Sequence, residues 1–471
     1  MIDLKNLTIE KAQESLSSGK FSCRELAEEY LKVIEEKNPE LNAYLEVYDD
    51  VLLQADEAQK KFQDGTATAL TGIPFAIKDN ILFQGHIVSA GSKMLENYTA
   101  SYSATVVKDL KAVGAILLGR TNMDEFAMGS STQTSAYGVT KNPLDLSRVP
   151  GGSSGGSAAV LAGGLALAAL GTETCGSVRE PAAFCGLVGL KPTYGAISRQ
   201  GIIAMGNSLD QVAPFGKCVR DAEIIFNLLA RHDREDSTSV PENLRNPKSK
   251  KQKSKKIGVP WHLFKEGVET GVQENFKQSL EKLKKAGYEI VDLELPYSKY
   301  SLAAYYIIMP AEVSTNLSRF DGMRYGYSAT GKNLLEVYMK SRGQGFGREA
   351  RRRILLGTYV LSHGYYDAFY KKALLVREKI KEEIVLAFEK VDYILTPTVP
   401  VTAFKLGEKL DDPVAMYLCD IFSAPANLSG VPSLAMPSGM SKEGLPFSIQ
   451  FMAPHFCEHL LFEVGKKFET M

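Results

Sequence analysis

Lys78, Ser153 and Ser177 are the residues of this chain whose types and surroundings suit nucleophilic catalysis. Ser153 sits in Gly151-Gly152-Ser153-Ser154-Gly155-Gly156-Ser157, and Ser177 in Thr174-Cys175-Gly176-Ser177-Val178-Arg179. The stretch from Pro150 to Pro192 that carries both serines contains no histidine. A nucleophilic serine needs a base within hydrogen-bond reach. The best candidate lies upstream, Lys78 in Gly72-Ile73-Pro74-Phe75-Ala76-Ile77-Lys78-Asp79-Asn80. It ends a short apolar strand, where burial lowers an amine's pKa and favours the neutral form. Ser153 would relay a proton from Ser177 to Lys78. Small residues from Thr174 to Ser177 let consecutive backbone N–H groups turn toward one point, as an oxyanion hole requires.

Each piece has a plainer reading. A single lysine is more often ion-paired than a base. A glycine- and serine-rich loop is more often a tight turn, and Ser177 could cap a helix whose first turn contains Pro181. Taken together, with no charged residue between Pro150 and Thr172, the pieces favour chemistry. Gly151 to Gly155 also matches the nucleophile-elbow pattern G-x-S-x-G, which needs a preceding strand. Asn142 to Pro150 reads as loop instead. The Walker pattern for phosphate is absent, and His86, His232, His262, His363, His455 and His459 have no matching context.

The elements that must position these residues follow from patterning. Ser22 to Glu25 fits a capping box, with Leu26, Tyr30, Leu31 and Ile34 at helical spacing behind it. Phe75 to Ile77 and Ala115 to Leu118 read as buried strands, with a helix from Ser103 to Val113 between them. Further strands are expected at Ile257 to Val259, Glu289 to Leu293, Tyr393 to Leu395, Ser433 to Met436 and Phe447 to Met452. The run from Ser157 to Leu170 is too short to span a bilayer and reads as a buried helix, which places Ser177 on a loop after it. The alternation suggests an α/β sheet with helices on both faces. Residues 1–471 read as one large domain, with a helical cover around 304–388.

Composition narrows the partners. Lys+Arg 55 balance Asp+Glu 55, so no overall field draws the chain to nucleic acid or to an anionic membrane. A basic run from Lys248 to Lys256 reads as a solvated loop, with an RNA or partner contact as its alternative. The cysteines Cys23, Cys175, Cys185, Cys218, Cys419 and Cys457 are scattered, show no metal-ligand spacing, and read as reduced thiols of a cytoplasmic protein. No long apolar stretch follows Met1, which argues against a signal peptide.

The chain resembles the amidase-signature family, and within it the glutamine-hydrolysing subunits of aminoacyl-tRNA amidotransferases. The resemblance covers nearly the whole length. It rests on Gly72 to Asn80, Gly119 to Ser130, Val149 to Ser157, Gly186 to Gly195, Ser208 to Gln211, and Tyr417-Leu418-Cys419-Asp420-Ile421-Phe422. It implies a large mixed β-sheet sandwiched between helical layers. Ser177 would be the nucleophile, Ser153 a bridging serine held by a cis peptide, and Lys78 the base. Thr174, Cys175, Gly176 and Ser177 would form the oxyanion hole, with Ser154 and Arg179 in support. Arg353 and Asp420 would hold the two charged ends of glutamine, with Gly129 and Ser130 also at the substrate. The resemblance implies no cofactor or metal in this chain. It implies a heterotrimer with B and C subunits, in which the B subunit binds misacylated tRNA, ATP and Mg2+. Where the family usually reads Asp-Thr-Gly-Gly-Ser-Ile-Arg-Gln-Pro, this chain has Glu173, Cys175, Val178 and Glu180 in place of Asp, the first Gly, Ile and Gln. These departures keep two alternatives in view, a stand-alone carboxamide amidase and a scaffold subunit with weakened catalysis. Cysteine would distort the loop if position 175 requires a positive φ.

Overall fold

The computed structural model describes residues 2–245, 255–264 and 267–471. Among them, 11 strands form one sheet: β1 (Tyr44–Val47), β2 (Pro74–Lys78), β3 (Ile116–Thr121), β4 (Ala168–Glu173), β5 (Val188–Lys191), β6 (Gln211–Gly216), β7 (Lys256–Val259), β8 (Glu289–Asp292), β9 (Tyr393–Pro397), β10 (Ser433–Met440) and β11 (Pro446–Met452). Their spatial order is β1-β3-β2-β4-β6-β5-β10-β11-β9-β7-β8. The sheet is mixed. β2 runs parallel to β3 and β4, whereas β6 is antiparallel to β4 and β5. Helix Val51–Gln63 packs on β3, Val219–Leu229 on β6, and Thr270–Lys285 on β9 and β10.

The apolar runs explain the central strands. Every residue of β2, β3 and β4 is buried, as expected of strands covered on both faces. β2 and β4 are neighbours in register, Phe75 beside Ala168 and Ile77 beside Leu170. Their carboxyl ends therefore emerge side by side, one with Lys78 and the other with the loop that carries Ser177. The capping box forms as expected: Ser22 Oγ accepts from Glu25 N at 3.1 Å, and the Glu25 carboxylate accepts from Ser22 N at 2.7 Å.

The stretch from Ser157 to Leu170 is not one helix. Helix Gly155–Ala162 ends at Gly163, Gly164 turns at φ 77°, and β4 begins at Ala168. Apolar character alone does not separate a buried helix from a buried strand, and the paired glycines supply the break. Ser177 thus follows a strand, not a helix. β1, β4, β5 and β6 are strands that the patterning did not mark.

Helices Ser301–Asn316, Leu334–Gly345, Arg348–Leu361 and Lys372–Lys390 occupy the region expected to be helical. Their shared core includes Ile308, Met309, Phe346, Ile380 and Ile384. The basic run Lys248 to Lys256 lies outside the described residues apart from Lys255 and Lys256. No described helix is long and apolar enough to cross a membrane.

Candidate active site

Lys78 is fully buried at the end of β2. Its Nζ donates to Ser153 Oγ at 2.7 Å, to Ser154 Oγ at 2.8 Å and to the Thr172 carbonyl at 3.2 Å. Burial pushes the amine down to about 7, against the pull of Asp124, Asp210 and Glu173. Near neutral pH a large share of Lys78 is therefore the free base, able to accept a proton.

The Ser153 loop is shaped by close approach. The Gly152–Ser153 peptide is cis. A Cβ on Gly152 would overlap the Asp124 carboxylate, so only glycine fits there. Asp124 organises the facing loop, accepting from the backbone N–H of Ser131, Thr132, Gln133 and Thr134 at 2.8–3.2 Å. The Ser153 carbonyl in turn accepts from Asp124 N at 3.2 Å.

Ser177 reaches the same place from β4 and is 4% exposed. Its carbonyl accepts from Ser154 N at 3.1 Å, which locks the two serine loops together. Among the described residues no hydrogen bond joins the Ser177 hydroxyl to the Ser153 hydroxyl, whose partner is Lys78. The sharp turn before Ser177 falls on Gly176, with φ 78°. Cys175 is not among the residues with positive φ, so a cysteine there does not distort the loop. Its thiol lies 3.5 Å from Ser423 Oγ. The amides of Val178 and Arg179 both donate to Glu173 at 3.1 Å. Among the described residues no hydrogen bond engages the amides of Cys175, Gly176 or Ser177. The Thr174 amide is likewise without a hydrogen bond among the described residues, and its hydroxyl donates to Asp210 Oδ1 at 2.8 Å.

Arg179 and Glu173 brace this loop. Arg179 Nε and Nη2 donate to Glu173 Oε1 at 2.8 and 2.6 Å, with both side chains fully buried. Nη1 reaches Gln450 on β11 at 2.5 Å, and Nη2 the Ser423 carbonyl at 3.1 Å. Burial raises the Glu173 carboxyl, but the Arg179 guanidinium overrides it and the net shift is downward. The longer glutamate in place of aspartate thus keeps its partner. Glu180 makes no ion pair with Arg179: both of its carboxyl oxygens are buried without a hydrogen-bond partner, and burial raises its pKa.

Arg353 and Asp420 stand at the two ends of one tyrosine. The Tyr306 hydroxyl donates to Asp420 Oδ2 at 2.8 Å, and the Arg353 guanidinium lies 5.6 Å from the Tyr306 ring centre and 5.4 Å from that of Tyr417. The two rings stack at 3.9 Å. Arg353 Nε donates to Glu349 at 2.8 Å. Burial, opposed by the Tyr306 hydroxyl and Arg353, pushes Asp420 up to about 7. A Cβ on Gly176 would come 2.7 Å from Asp420 Oδ1, so Asp420 borders the Ser177 loop.

A cavity of about 350 Å³ opens beside this pair, lined by Gly129, Ser130, Glu349, Arg353, Lys409 and Tyr417 among others. Ser177, Lys78 and Asp420 do not line it. Its Ser130–Ser131 side rests on Gly152, the residue before Ser153. Tyr306 was missed by sequence reasoning, and Asp124 and Asp210 entered it only as members of the blocks Gly119 to Ser130 and Ser208 to Gln211, with no role assigned. Tyr306 left no signal because its hydroxyl acts on Asp420, far along the chain.

The amidase family profile matches residues 25–462. The chain belongs to the amidase family. Similar proteins include the glutamyl-tRNA(Gln) amidotransferase A subunit of Thermoanaerobacter pseudethanolicus, 49% identical over 99% of this chain and 97% of that protein. Its counterpart of the same name from Koribacter versatilis is 48% identical over 99% of both. Among solved amidase structures, the glutamyl-tRNA(Gln) amidotransferase A subunit of Thermotoga maritima matches with a TM-score of 0.79 at 40% identity, covering 98% of this chain and 94% of that one. The peptide amidase of Stenotrophomonas maltophilia matches with a TM-score of 0.83 at 29% identity, covering 99% and 97%.

Proposed function

We propose that the chain hydrolyses the side-chain amide of glutamine as the ammonia-releasing A subunit of an aminoacyl-tRNA amidotransferase. The observation that carries the reaction is the buried Lys78 amine, hydrogen-bonded to Ser153 beside the unengaged amides of the Ser177 loop. Neutral Lys78 accepts a proton through Ser153 as Ser177 Oγ attacks the amide carbon. The amides of Thr174, Cys175, Gly176 and Ser177 are the candidates that stabilise the oxyanion. The proton returns to the leaving nitrogen, ammonia departs, and water cleaves the glutamyl ester. Asp420 and Arg353 supply opposite charges for the α-ammonium and α-carboxylate, which favours an amino-acid amide over an uncharged one.

The assembly reading rests on the near-full-length likeness to A subunits, one of them 49% identical. In it a B subunit holds the misacylated Glu-tRNA(Gln), or Asp-tRNA(Asn), with ATP and Mg2+. A C subunit completes a cytoplasmic heterotrimer. Exposed Leu334, Leu335, Met339, Leu355, Leu356 and Tyr359 on the helical region offer apolar surface for such partners. Ammonia release from glutamine, by the chain alone and with those partners, tests the reading beside Ser177→Ala. Partner-stimulated release that vanishes in the variant supports it. Equal hydrolysis of glutamine and uncharged amides by the isolated chain would favour a general amidase.

A further inference from the structure

Glu125 lines the cavity beside Arg353 and takes no part in the steps above. It lies in the short turn Glu125–Ala127 after β3 and is 2% exposed. Both of its carboxyl oxygens accept from the Gly347 amide, Oε1 at 3.1 Å and Oε2 at 2.9 Å. Oε1 also accepts from Ser92 Oγ at 2.5 Å. Gly347 is the N-cap of helix Arg348–Leu361 and brings no side chain to cap it. Its amide is one of the donors that a helix start leaves without an intrahelical partner, and Glu125 satisfies it from outside the helix. A Cβ on Gly347 would overlap Glu125 Oε2, so this approach needs glycine.

The next residue repeats the connection with its ring. Phe126 lies 5.6 Å, centre to centre, from Phe346. Two consecutive residues of one turn thus grip the two residues ahead of one helix. That helix carries Glu349 and Arg353, and Arg353 Nε and the Tyr417 hydroxyl both donate to Glu349 Oε1, at 2.8 and 2.9 Å. The turn is tied as firmly to the Ser153 loop. Asp124, one residue earlier, packs against Gly152, and its amide donates to the Ser153 carbonyl at 3.2 Å. Asp124 and Glu125 together therefore link the loop that presents Ser153 to the start of the helix that presents Arg353.

We propose that Glu125 is a positioning residue: by holding the Gly347 amide it fixes the Arg353 helix relative to the Ser153 loop, so that a substrate carboxylate held at Arg353 places its side-chain amide at Ser177. This rests on the glutaminase reading and on Arg353 as the partner of the α-carboxylate. No proton or covalent bond changes in it.

The test uses the full chain with its partner subunits. Burial raises the Glu125 carboxyl to about 7, against the donors from Ser92 and Gly347, so assays run at pH 8, where it is mostly ionised. Glutamine is compared with 4-aminobutanamide, which is glutamine without its α-carboxylate. Glu125→Ala is expected to raise KM for glutamine about tenfold and to leave kcat within about threefold. Its kcat/KM for 4-aminobutanamide should change less than about threefold, because that substrate makes no use of Arg353. Glu125→Gln keeps a carbonyl oxygen for the Gly347 amide and should bring KM back to within about threefold of the unsubstituted complex.

Gly347→Ala reaches the same contact from the other side, and it carries the test on its own should Glu125→Ala fail to fold. It should raise KM for glutamine and spare 4-aminobutanamide. The double variant should be no worse than Glu125→Ala, because the carboxylate that the new Cβ meets is gone. Equal losses on the two amides, a fall in kcat at unchanged KM, or additive losses in the double variant overturn the proposal. Arg353→Gln in parallel separates it from the reading beneath it. A glutamine-selective loss at Arg353 without one at Glu125 removes the proposal alone. Equal losses on both amides at Arg353 remove the carboxylate assignment with it. Failure of the unsubstituted complex to release ammonia from glutamine overturns the glutaminase reading as well.

Discussion

Lys78 and Lys191 make an instructive pair. β2, β4 and β5 run in the same direction and β6 against them, so the two lysines end their strands on one side of the sheet. Both are fully buried, and burial pushes both down to about 7. Both are held up in part by Glu173. They differ in their partners. Lys78 meets two serine hydroxyls, which can accept and pass on a proton. Lys191 meets the Pro192 carbonyl at 2.8 Å, which accepts a hydrogen bond but has no proton to give. A depressed pKa is therefore shared, whereas of the two only Lys78 meets hydroxyl partners that the proposed proton transfer needs.

The strongest way to break that comparison is substitution at each lysine. Lys78→Ala is expected to lower kcat for glutamine by about 10²–10⁴, and Ser177→Ala by about 10⁴ or more. Lys191→Met should leave kcat within about fivefold, since its amine reaches no hydroxyl of the site. Ammonia release by folded variants decides it. A loss at Lys191 equal to that at Lys78 would make burial, and not the serine link, the controlling feature.

Glu173 touches both sides of the comparison. Glu173→Gln leaves the Arg179 guanidinium buried without its counter-charge and should cost about 3–5 kcal/mol in denaturant unfolding. Loss of the carboxylate also removes a charge that holds both lysines up, so each should titrate lower. Glu180→Gln, at a carboxyl with no partner, should cost less than about 1 kcal/mol. Similar losses at the two glutamates would contradict the contrast between a paired and an unpaired carboxyl.

A pH profile sharpens the difference between the lysines. In the proposed mechanism the active form of Lys78 is the free amine. Its depressed pKa means that kcat/KM rises with pH through about 7 and falls up to about tenfold per unit below it. An uncharged amide isolates this limb from the ammonium site. Lys191→Met should leave the limb in place. Its disappearance in that variant would assign the titration to the wrong lysine.

Much of this was legible in the sequence. An apolar run that stops at a lysine marks a buried strand with an amine at its end, and β2 is that element. Ser153 and Ser177 were legible from the small residues around them. The length of the helix after Ser153 was not, because Ser157 to Leu170 is apolar throughout and only Gly163 and Gly164 break it. Nor was the contrast between Lys78 and Lys191, which depends on atoms brought from Ser153 and Pro192. Tyr306 was hidden for the same reason: its hydroxyl matters only because Asp420, far along the chain, lies 2.8 Å away.

On the substrate side, Tyr306→Phe removes one donor to Asp420 while keeping the ring beneath Arg353. A hydrogen bond to a charged group contributes about 1.5–3 kcal/mol, so KM for glutamine should rise at least about tenfold. The rise should be much smaller for an uncharged amide. Equal rises on both substrates would place Tyr306 in general packing.

The smallest effect is expected at Cys175, between Thr174 and the turn that presents Ser177. Were position 175 in the left-handed region, Cys175→Gly would relieve strain and raise activity sharply. The positive φ belongs to Gly176 instead, and the buried Cys175 thiol lies at an ordinary contact distance, 3.5 Å, from Ser423 Oγ. Cys175→Gly should therefore change kcat by less than about threefold, and stability should fall slightly as the loop gains conformational freedom in the unfolded chain. Gly176→Ala offers the counterpart. It places a Cβ 2.7 Å from Asp420 in a backbone conformation that alanine disfavours, and it should lower glutamine hydrolysis more than any change at Cys175. A larger gain from Cys175→Gly than loss from Gly176→Ala would show that the cysteine, and not the glycine, limits the oxyanion loop.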